Sequence, residues 1–450
     1  MRRTGASALA SILVSAVLLL WPAALNSYPL VFGDTGVYLS DGIHLHASWP
    51  RPLFYGLFML PLHMRTTLWP VIAAQAGIAA ALLHLTLRCF LPGLAAWALI
   101  PVTAVLATCT SLPWFASQLM PDLFGALMLL SLAMLILTPQ RLSPSLQVLL
   151  VLFAAGCITM HQSFLPTALA CVVVLLLARA WQGDRVRLLD VVRGGFVPAL
   201  ALAAAIGANA VLAGQPSPSP YGKIFIMTRV IFDGPGQRVL QRECPRPDWS
   251  LCSVADAIPP TVELFLFGKQ GTLNQVGGYQ AVARQAWPIV MSALLAEPGP
   301  MLANSLRNAA RQFISFETGD WLIMPMPSVV DAWKQELPPA EQSRYQDGKQ
   351  YRLIPLIADA LQAVHLGVGS VGLGVLAVGA VVALRQREAL GGLYLAILAA
   401  LVTNAVIVGA LSGVYDRYQS RFMWLPTAAA LLMLLAWWRK PLRERAAVSS

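Results

Sequence analysis

Charged residues are scarce in this sequence. Aspartate, glutamate, lysine and arginine make up 12% of its 450 residues, and hydrophobic residues make up 57%. Because a soluble globular domain carries about 25% charged residues, the deficit excludes an ordinary soluble domain. The apolar stretches are continuous over about 20 residues, as a spanning helix requires, and they lack the alternation of a spanning β-strand. The sequence therefore predicts an all-α, polytopic helical membrane protein.

Length and flanking charges predict about ten transmembrane helices. The predicted spans are 5–25, 67–87, 91–110, 120–138, 145–160, 163–180, 194–213, 358–384, 389–411 and 421–438. Two arginines followed by an apolar run at the start of the chain also fit a cleaved signal peptide. We favour an uncleaved first span, because the run is long and the next apolar stretch follows only after a polar loop.

Basic residues are concentrated in alternate connections between these spans. They are Arg2, Arg3, Arg88, Arg141, Arg179, Arg185, Arg187, Arg193, Arg385, Arg387, Arg439, Lys440, Arg443 and Arg445. Positive residues beside spans mark the cytoplasmic side, so we expect a bacterial inner-membrane protein with both termini in the cytoplasm. The same placement accounts for the net charge of +10. No basic face interleaved with aromatics lies away from the spans, which excludes nucleic acid as a partner.

This topology divides the chain into three parts. Residues 1–213 form an N-terminal transmembrane bundle with a first exterior loop at 27–66, residues 214–356 form a long exterior segment, and residues 357–450 form C-terminal spans with a short cytoplasmic tail. The long segment contains a pattern typical of two amphipathic helices, broken at Pro298-Gly299-Pro300. We expect these exterior helices to lie at the membrane interface or to pack on the spans.

Two cysteines, Cys244 and Cys252, lie in the long exterior segment. In an oxidising compartment they are candidates for a short-loop disulfide. The alternative is a pair of free thiols. Zinc is disfavoured, because no neighbouring histidine or cysteine completes four ligands.

The ionisable residues on the exterior come from separate loops but share one membrane face. They are Asp34, Asp41, His44, His46, Arg51, Asp122, His161, Asp416, Arg417 and Arg421. Acid, base and cation at one depth are the groups that an active site needs.

Asp34, Tyr38 and Asp41 follow an i, i+4, i+7 spacing, which places them on one face of a short helix. Asp34 is a catalytic or binding acid, the cap of that helix, or both, and Asp41 before a glycine is typical of a turn. His44 and His46 leave a divalent metal open as a weak alternative; no cofactor is required.

The remaining exterior residues also have structural interpretations. Asp122 has two interpretations. It is an acid in the first turn of a helix, where the helix dipole favours it, or it is a functional acid at the end of a span, where its burial costs free energy. His161 is a turn residue or part of a site. Arg417 and Arg421 are either interface anchors with Tyr418 and Trp424 or cations placed for an anionic lipid or diphosphate.

Three features of the chain are similar to those of a known family. They are Asp34 in GDTGVYL, Arg51 in the same loop, and Arg417-Tyr418 with Arg421 before a span that contains Pro426. In these features the chain resembles the GT-C superfamily of integral membrane glycosyltransferases, in its variant with a single acid. The resemblance implies transfer of a sugar from a polyprenyl-phosphate donor to a glycan, lipid or protein acceptor outside the cytoplasm. Asp34 would be the general base. The substrate-binding residues would be Tyr38, Arg51, Asp122, His161, Arg417, Tyr418 and Arg421.

Three other functions stay open. A lipid-linked saccharide polymerase or ligase would depend on the arginines rather than on Asp34. A transporter or flippase for such lipids would need polar groups at mid-membrane depth and often repeated halves, and the spans have few such groups. A non-catalytic scaffold for envelope assembly is the third.

Overall fold

The computed structural model describes residues 2–46, 51–183, 186–246, 248–267, 271–320, 322 and 327–448, and over these residues its regular structure is helical. The first part contains α1 (Arg2–Leu19), α2 (Trp21–Asn26), α3 (Thr35–His44), α4 (Phe54–His63), α5 (Trp69–Phe90), α6 (Leu99–Cys109), α7 (Leu112–Ser117), α8 (Asp122–Leu137), α9 (Pro144–Thr159), α10 (Phe164–Trp181) and α11 (Leu188–Ala213). The long segment contains α12 (Gly222–Phe232), α13 (Pro235–Glu243), α14 (Val262–Leu266), α15 (Thr272–Gln275), α16 (Gly278–Ala296), α17 (Pro298–Ile314), α18 (Pro327–Glu336) and α19 (Pro339–Gln346). The last part contains α20 (Leu353–Arg385), α21 (Ala389–Leu411), α22 (Asp416–Ser420) and α23 (Trp424–Val448).

Six helical segments of the described chain are long and apolar enough to cross a membrane. They are α5, α10, α11, α20, α21 and the stretch Asp416–Arg439. The all-helical class predicted from the sequence is therefore confirmed for the described residues, and these six helices are candidate membrane spans. The other four predicted spans contain shorter apolar helices, α1, α6, α8 and α9. A 16-residue helix such as α8 is about 24 Å long, slightly less than the roughly 30 Å of a hydrocarbon core.

Two predicted spans differ in extent from the helices found. The stretch 91–110 contains an α-helix only from Leu99, because Pro92 and Gly93, with a φ of +83°, lie in a turn that ends the preceding helix. The stretch 5–25 is divided at Leu20 into α1 and α2, and Pro22 lies in the first turn of α2. Proline fits a first turn, where its missing N–H costs no hydrogen bond.

Helix α8 is the centre of the bundle, since all of its residues are buried. Its carboxyl end lies among the arginine-rich connections. Arg179 donates to the carbonyl of Ile136, and Arg141 donates to the carbonyl of Cys89 at the end of α5. Arginine satisfies carbonyls that have no partner within their helix. Asp122 is the first residue of α8, so the acid lies at the opposite end of the bundle from these arginines.

Hydrogen bonds fix the polar loop that follows α2 against this acid-bearing end. Leu30 forms an isolated parallel bridge with Gln118 just before α8. The hydroxyl of Thr35 donates to the carbonyl of Leu119 over 3.0 Å. The side chain of Gln350 also makes two hydrogen bonds to the backbone of Val31, of 2.8 and 2.7 Å. The start of α3, and with it Asp34, is thereby held beside the start of α8.

The long segment has two kinds of packing. Helices α12 to α16 enclose an apolar core of their own, which includes Ile224, Leu240 and Phe265, and a disulfide joins Cys244 to Cys252 beside it. By contrast, α17 packs along α21, and α18 packs on α3. The predicted break between two amphipathic helices is present, with α16 ending at Ala296 and α17 beginning at Pro298.

Helices α3 and α4 approach each other through two glycines, Gly42 and Gly56. A Cβ atom on Gly56 would collide with the carbonyl oxygen of Tyr38 and with the backbone of Gly42. Gly56→Ala is therefore expected to lower the free energy of unfolding by about 1–3 kcal/mol, the usual cost of overpacking. Thermal unfolding in detergent measures this. Gly77→Ala in α5, where a Cβ meets nothing within 4 Å, is the control, and an equal effect in both variants would contradict the explanation.

Candidate functional site

Asp34 lies directly before α3 but makes no cap hydrogen bond to the described first turn of that helix. The cap interpretation is therefore wrong in this structure. Its carboxylate instead accepts a hydrogen bond of 2.8 Å from Arg51 and lies 3.8 Å from the guanidinium of Arg417. The side chains of Asp34 and Arg51 are each 16% exposed. Asp34 is thus held between two cations and still reaches solvent.

Asp122 and Arg421 form a buried ion pair behind Asp34. The guanidinium of Arg421 donates to the carboxylate of Asp122 over 3.1 Å, to the hydroxyl of Ser163 over 2.8 Å and to the amide oxygen of Asn404 over 2.7 Å. The side chain of Arg421 is 0% exposed and that of Asp122 is 1% exposed. This burial excludes the interface-anchor interpretation of Arg421. It also places the pair beneath the open part of the site, where it supports other residues.

Arg417 connects the two carboxylates. Its guanidinium lies 3.8 Å from Asp34 and 4.0 Å from Asp122, and it stacks 4.0 Å from the ring centroid of Phe32. Its backbone N–H donates to Asp320. The side chain is 8% exposed, so it is no interface anchor. Nevertheless its buried Nη1 has no hydrogen-bond partner among the described residues, and the nearest carboxylate, that of Asp34, is 3.8 Å away, so this cation is only loosely paired.

His161 lies between α9 and α10, with its Nδ1 fixed by Ser163. The backbone N–H of Ser163 donates to Nδ1 over 3.2 Å, so a neutral ring carries its proton on Nε2. Burial, followed by the charges of Arg421 and Arg417, holds the pKa of His161 well below its usual range. His161 is therefore a neutral donor at physiological pH. The ring of Tyr418 packs against it edge-on, with centroids 6.0 Å apart.

Tyr38 is buried behind the open site. It is 1% exposed and packs edge-on against Tyr55. Burial raises its pKa, so the phenol stays protonated. Burial alone would lower the pKa of Arg51, but the nearby Asp34 and Tyr38 raise it above its usual range, so the guanidinium stays charged.

A cavity of about 360 Å³, here named the carboxylate cavity, opens in front of Asp34. Three carboxylates line it, those of Asp34, Glu263 and Asp320, together with Arg51 and Arg417. Burial raises the pKa of Asp320 above its usual value. The rest of the wall is largely aromatic and apolar, formed by Phe32, Val37, Phe225, Val262, Leu266, Phe267, Tyr415 and Tyr418.

A second cavity of about 680 Å³, here named the cationic cavity, is also lined by Arg51. Among the described residues that line it, Arg51, His161 and Lys223 are ionisable bases, and none is an aspartate or a glutamate. Its polar wall carries hydroxyls and amides from Gln162, Ser163, Gln215, Ser217 and Ser219. Its apolar wall includes Pro166 of α10 and Ile407, Val408 and Leu411 of α21. The two cavities share Arg51, Phe225, Ser412 and Tyr418.

A smaller cleft of about 180 Å³ continues from the same region between α9, α10 and α11. Its wall is mainly apolar and includes Ile158, Leu165, Leu202 and Ala205, and it reaches Arg51 and His161. Since α10 and α11 are among the helices suited to cross a membrane, an apolar chain in this cleft would lie between spanning helices.

The two loop histidines lie outside this arrangement. His44 is bound to Glu336 of α18 over 2.7 Å, and His46 is exposed. No group of three histidine, cysteine, aspartate or glutamate side chains within the described ranges could hold a metal ion. Binding of a divalent metal therefore stays a prediction, and the described residues offer no set of ligands for it. Asp41 is buried in α3, away from the residues that line the two cavities.

Sequence reasoning missed Lys223, Glu263 and Asp320, which line the cavities. One signal was present: Lys223 is the first lysine of the chain and follows the Pro/Ser-rich stretch GQPSPSPYG. Glu263 and Asp320 had no distinguishing pattern around them. Their position depends on how the long segment folds back over α22.

Carboxylate, guanidinium and neutral imidazole thus meet where two cavities join, an arrangement suited to deprotonating a hydroxyl beside a bound anion. Comparison of the chain with protein-family models, with curated proteins and with solved structures gave no match.

Proposed function

We propose that this protein is a membrane glycosyltransferase of the GT-C type. It moves a sugar from a polyprenyl-phosphate donor to a glycan, lipid or protein acceptor at the periplasmic face of a bacterial inner membrane. The observation that supports it most is the position of Asp34, between Arg51 and Arg417 at the edge of a cavity. The proposal includes about ten spans, counting the shorter apolar helices, and cytoplasmic termini.

The proposed reaction forms one bond, breaks one bond and transfers one proton. The acceptor oxygen forms a bond to the anomeric carbon, and the bond from that carbon to the phosphate oxygen breaks. The acceptor proton passes to Asp34 as general base. The polyprenyl phosphate leaves with its negative charge next to Arg51, which neutralises it without proton transfer.

The disulfide supports the proposed orientation. Bonds of this kind persist in oxidising compartments such as the periplasm, and Cys244–Cys252 belongs to the segment placed there. The arginine-rich connections at the carboxyl end of α8 favour the cytoplasm for the opposite end.

Thiol labelling of intact cells tests the orientation directly. A membrane-impermeant maleimide is expected to label Cys244 and Cys252 only after reduction, because oxidation protects them outside the cytoplasm. Cells of the Cys244→Ser variant should be labelled at Cys252 without reductant. If the impermeant reagent reaches neither cysteine after reduction, while a permeant one labels both, the long segment is cytoplasmic and the topology is inverted.

A polymerase or ligase remains the nearest alternative, since Arg417, whose Nη1 has no hydrogen-bond partner among the described residues, would serve that chemistry too. For a transporter the observations are less favourable. The polar residues gather at one end of the bundle, and Asn404, a polar residue within α21, is already bound to Arg421 and to the Tyr418 carbonyl.

Reconstitution distinguishes these functions. Purified protein in proteoliposomes is given a radiolabelled polyprenyl-phosphate sugar and an extract of periplasmic glycans and lipids. We expect label to move to an acceptor with release of polyprenyl phosphate. Movement of intact lipid between leaflets without bond cleavage would support a transporter instead, and transfer of whole oligosaccharide chains alone would support a polymerase or ligase.

A further inference from the structure

We propose that the two cavities divide the substrates between them: the cationic cavity binds the phosphate of the donor, with Lys223 as a phosphate ligand, and the carboxylate cavity binds the acceptor. This inference rests on the proposed glycosyl transfer. It assigns roles to Lys223 and Glu263, neither of which the sequence singled out.

The charges of the cationic cavity favour an anion. Lys223 and Arg51 supply two positive charges, and no carboxylate is among its described lining residues. Hydroxyl and amide groups of Ser163, Ser217 and Gln215 lie in the same wall and could donate to phosphate oxygens. The carboxylate nearest to these cations is that of Asp34, which lies outside this lining and is hydrogen-bonded to Arg51 over 2.8 Å.

The position of this cavity suits a lipid. Ile407, Val408 and Leu411 of the membrane-suited α21 form one side of it. The apolar cleft shares Arg51 and His161 with it and continues between α10 and α11. A prenyl chain could thus stay among spanning helices while its phosphate reaches Lys223.

The carboxylate cavity has the opposite chemistry. Its wall includes the carboxylates of Asp34, Glu263 and Asp320, together with several aromatic rings. Glu263 accepts a hydrogen bond from Tyr415 through one oxygen, which leaves its other oxygen for a ligand. Carboxylates accept hydrogen bonds from hydroxyl groups, and aromatic faces pack against apolar faces of rings. A polyhydroxylated acceptor fits this lining, in which the two arginines, Arg51 and Arg417, already face the carboxylate of Asp34.

Arg51 couples the two cavities, since it lines both. In the structure it is hydrogen-bonded to Asp34, and its buried Nε has no partner among the described residues. A phosphate in the cationic cavity would compete with Asp34 for this guanidinium. Donor binding would then release the carboxylate towards the acceptor, so that the base becomes available only when the donor is in place.

Binding of farnesyl phosphate to the purified full-length protein tests the assignment without any transfer assay. Lys223→Gln is expected to weaken binding about 10-fold, the effect of losing one charge-assisted hydrogen bond. Glu263→Gln should leave binding unchanged, and so should Lys334→Gln, an exposed lysine on α18 that serves as the charge control. Isothermal titration in detergent measures all three, and thermal unfolding of each variant checks that it is folded.

Several results would overturn the assignment. One is a Lys223→Gln protein that is folded and binds farnesyl phosphate like the wild type; another is weakening by Glu263→Gln equal to that by Lys223→Gln. Equal affinity for neutral farnesol would remove the phosphate from recognition, and equal affinity for inorganic phosphate would remove the lipid. A protein that binds farnesyl phosphate through Lys223 but transfers no sugar would contradict the glycosyltransferase function alone.

Discussion

Replacing Asp34 by asparagine is expected to lower the rate of sugar transfer by about 10²- to 10⁴-fold, the contribution of a general base. Asparagine keeps the size of the side chain and can still contact Arg51, so the fold should persist. Binding of farnesyl phosphate should be unchanged or tighter, because the carboxylate that now occupies Arg51 and Arg417 is gone. Transfer assays with purified protein measure the first effect, and titration measures the second.

Asp331→Asn is the matched control for this variant. Asp331 is an exposed acid on α18, so its loss changes the net charge equally without touching the site. Full transfer activity in Asp34→Asn would remove this acid from the mechanism. Loss of both transfer and donor binding would show that Asp34 orders the arginines rather than acting as a base.

The convergence of Asp34, Asp122, His161, Arg417 and Arg421 could be predicted because membrane topology restricts each polar turn to one of two faces. The sequence did not predict how deeply each of these residues is buried at that face. Asp122 and Arg421 are fully buried, and their partners Asn404 and Ser163 come from α21 and from the turn before α10. Residues this far apart in sequence become partners through tertiary packing, which no local sequence pattern predicts.

The long segment was the least predictable part. Its sequence indicates helices and a break near Pro298, and both are present. The docking of α17 on α21 and of α18 on α3 has no signal in hydrophobic periodicity, which identifies an apolar face but not the surface that covers it. Glu263 reaches the site only through such docking, so its role was beyond sequence reasoning.

The charged residues of the site differ in how completely they are paired within the protein. An unpaired charge in a low-dielectric interior is costly, and here Arg421 is matched by Asp122, Asn404 and Ser163. Arg417 above it is only loosely paired, at 3.8 and 4.0 Å. The buried layer is therefore satisfied within the protein, whereas the layer facing the cavity has capacity left for a ligand.

Arg421→Met is expected to destabilise the protein by about 3–5 kcal/mol, the cost of leaving one partner of a buried ion pair without the other. In this variant Asp122, which is 1% exposed, would keep a buried carboxylate with only the distant Arg417 at 4.0 Å as a cationic neighbour. Thermal unfolding in detergent should show a large fall in Tm. Arg385→Met, which removes an exposed arginine at the end of α20, should have little effect.

The double variant Asp122→Leu with Arg421→Met separates the ion pair from the rest of the site. Replacing both partners by apolar side chains removes the uncompensated charge, so the double variant should be more stable than Arg421→Met alone, with a coupling energy of about 1–3 kcal/mol. Its transfer activity should still be low, because Arg417 would lose the carboxylate that helps to position it. If Arg421→Met instead kept full stability and lost only donor binding, Arg421 would be a direct ligand of the phosphate, and the buried layer would be part of the binding surface itself.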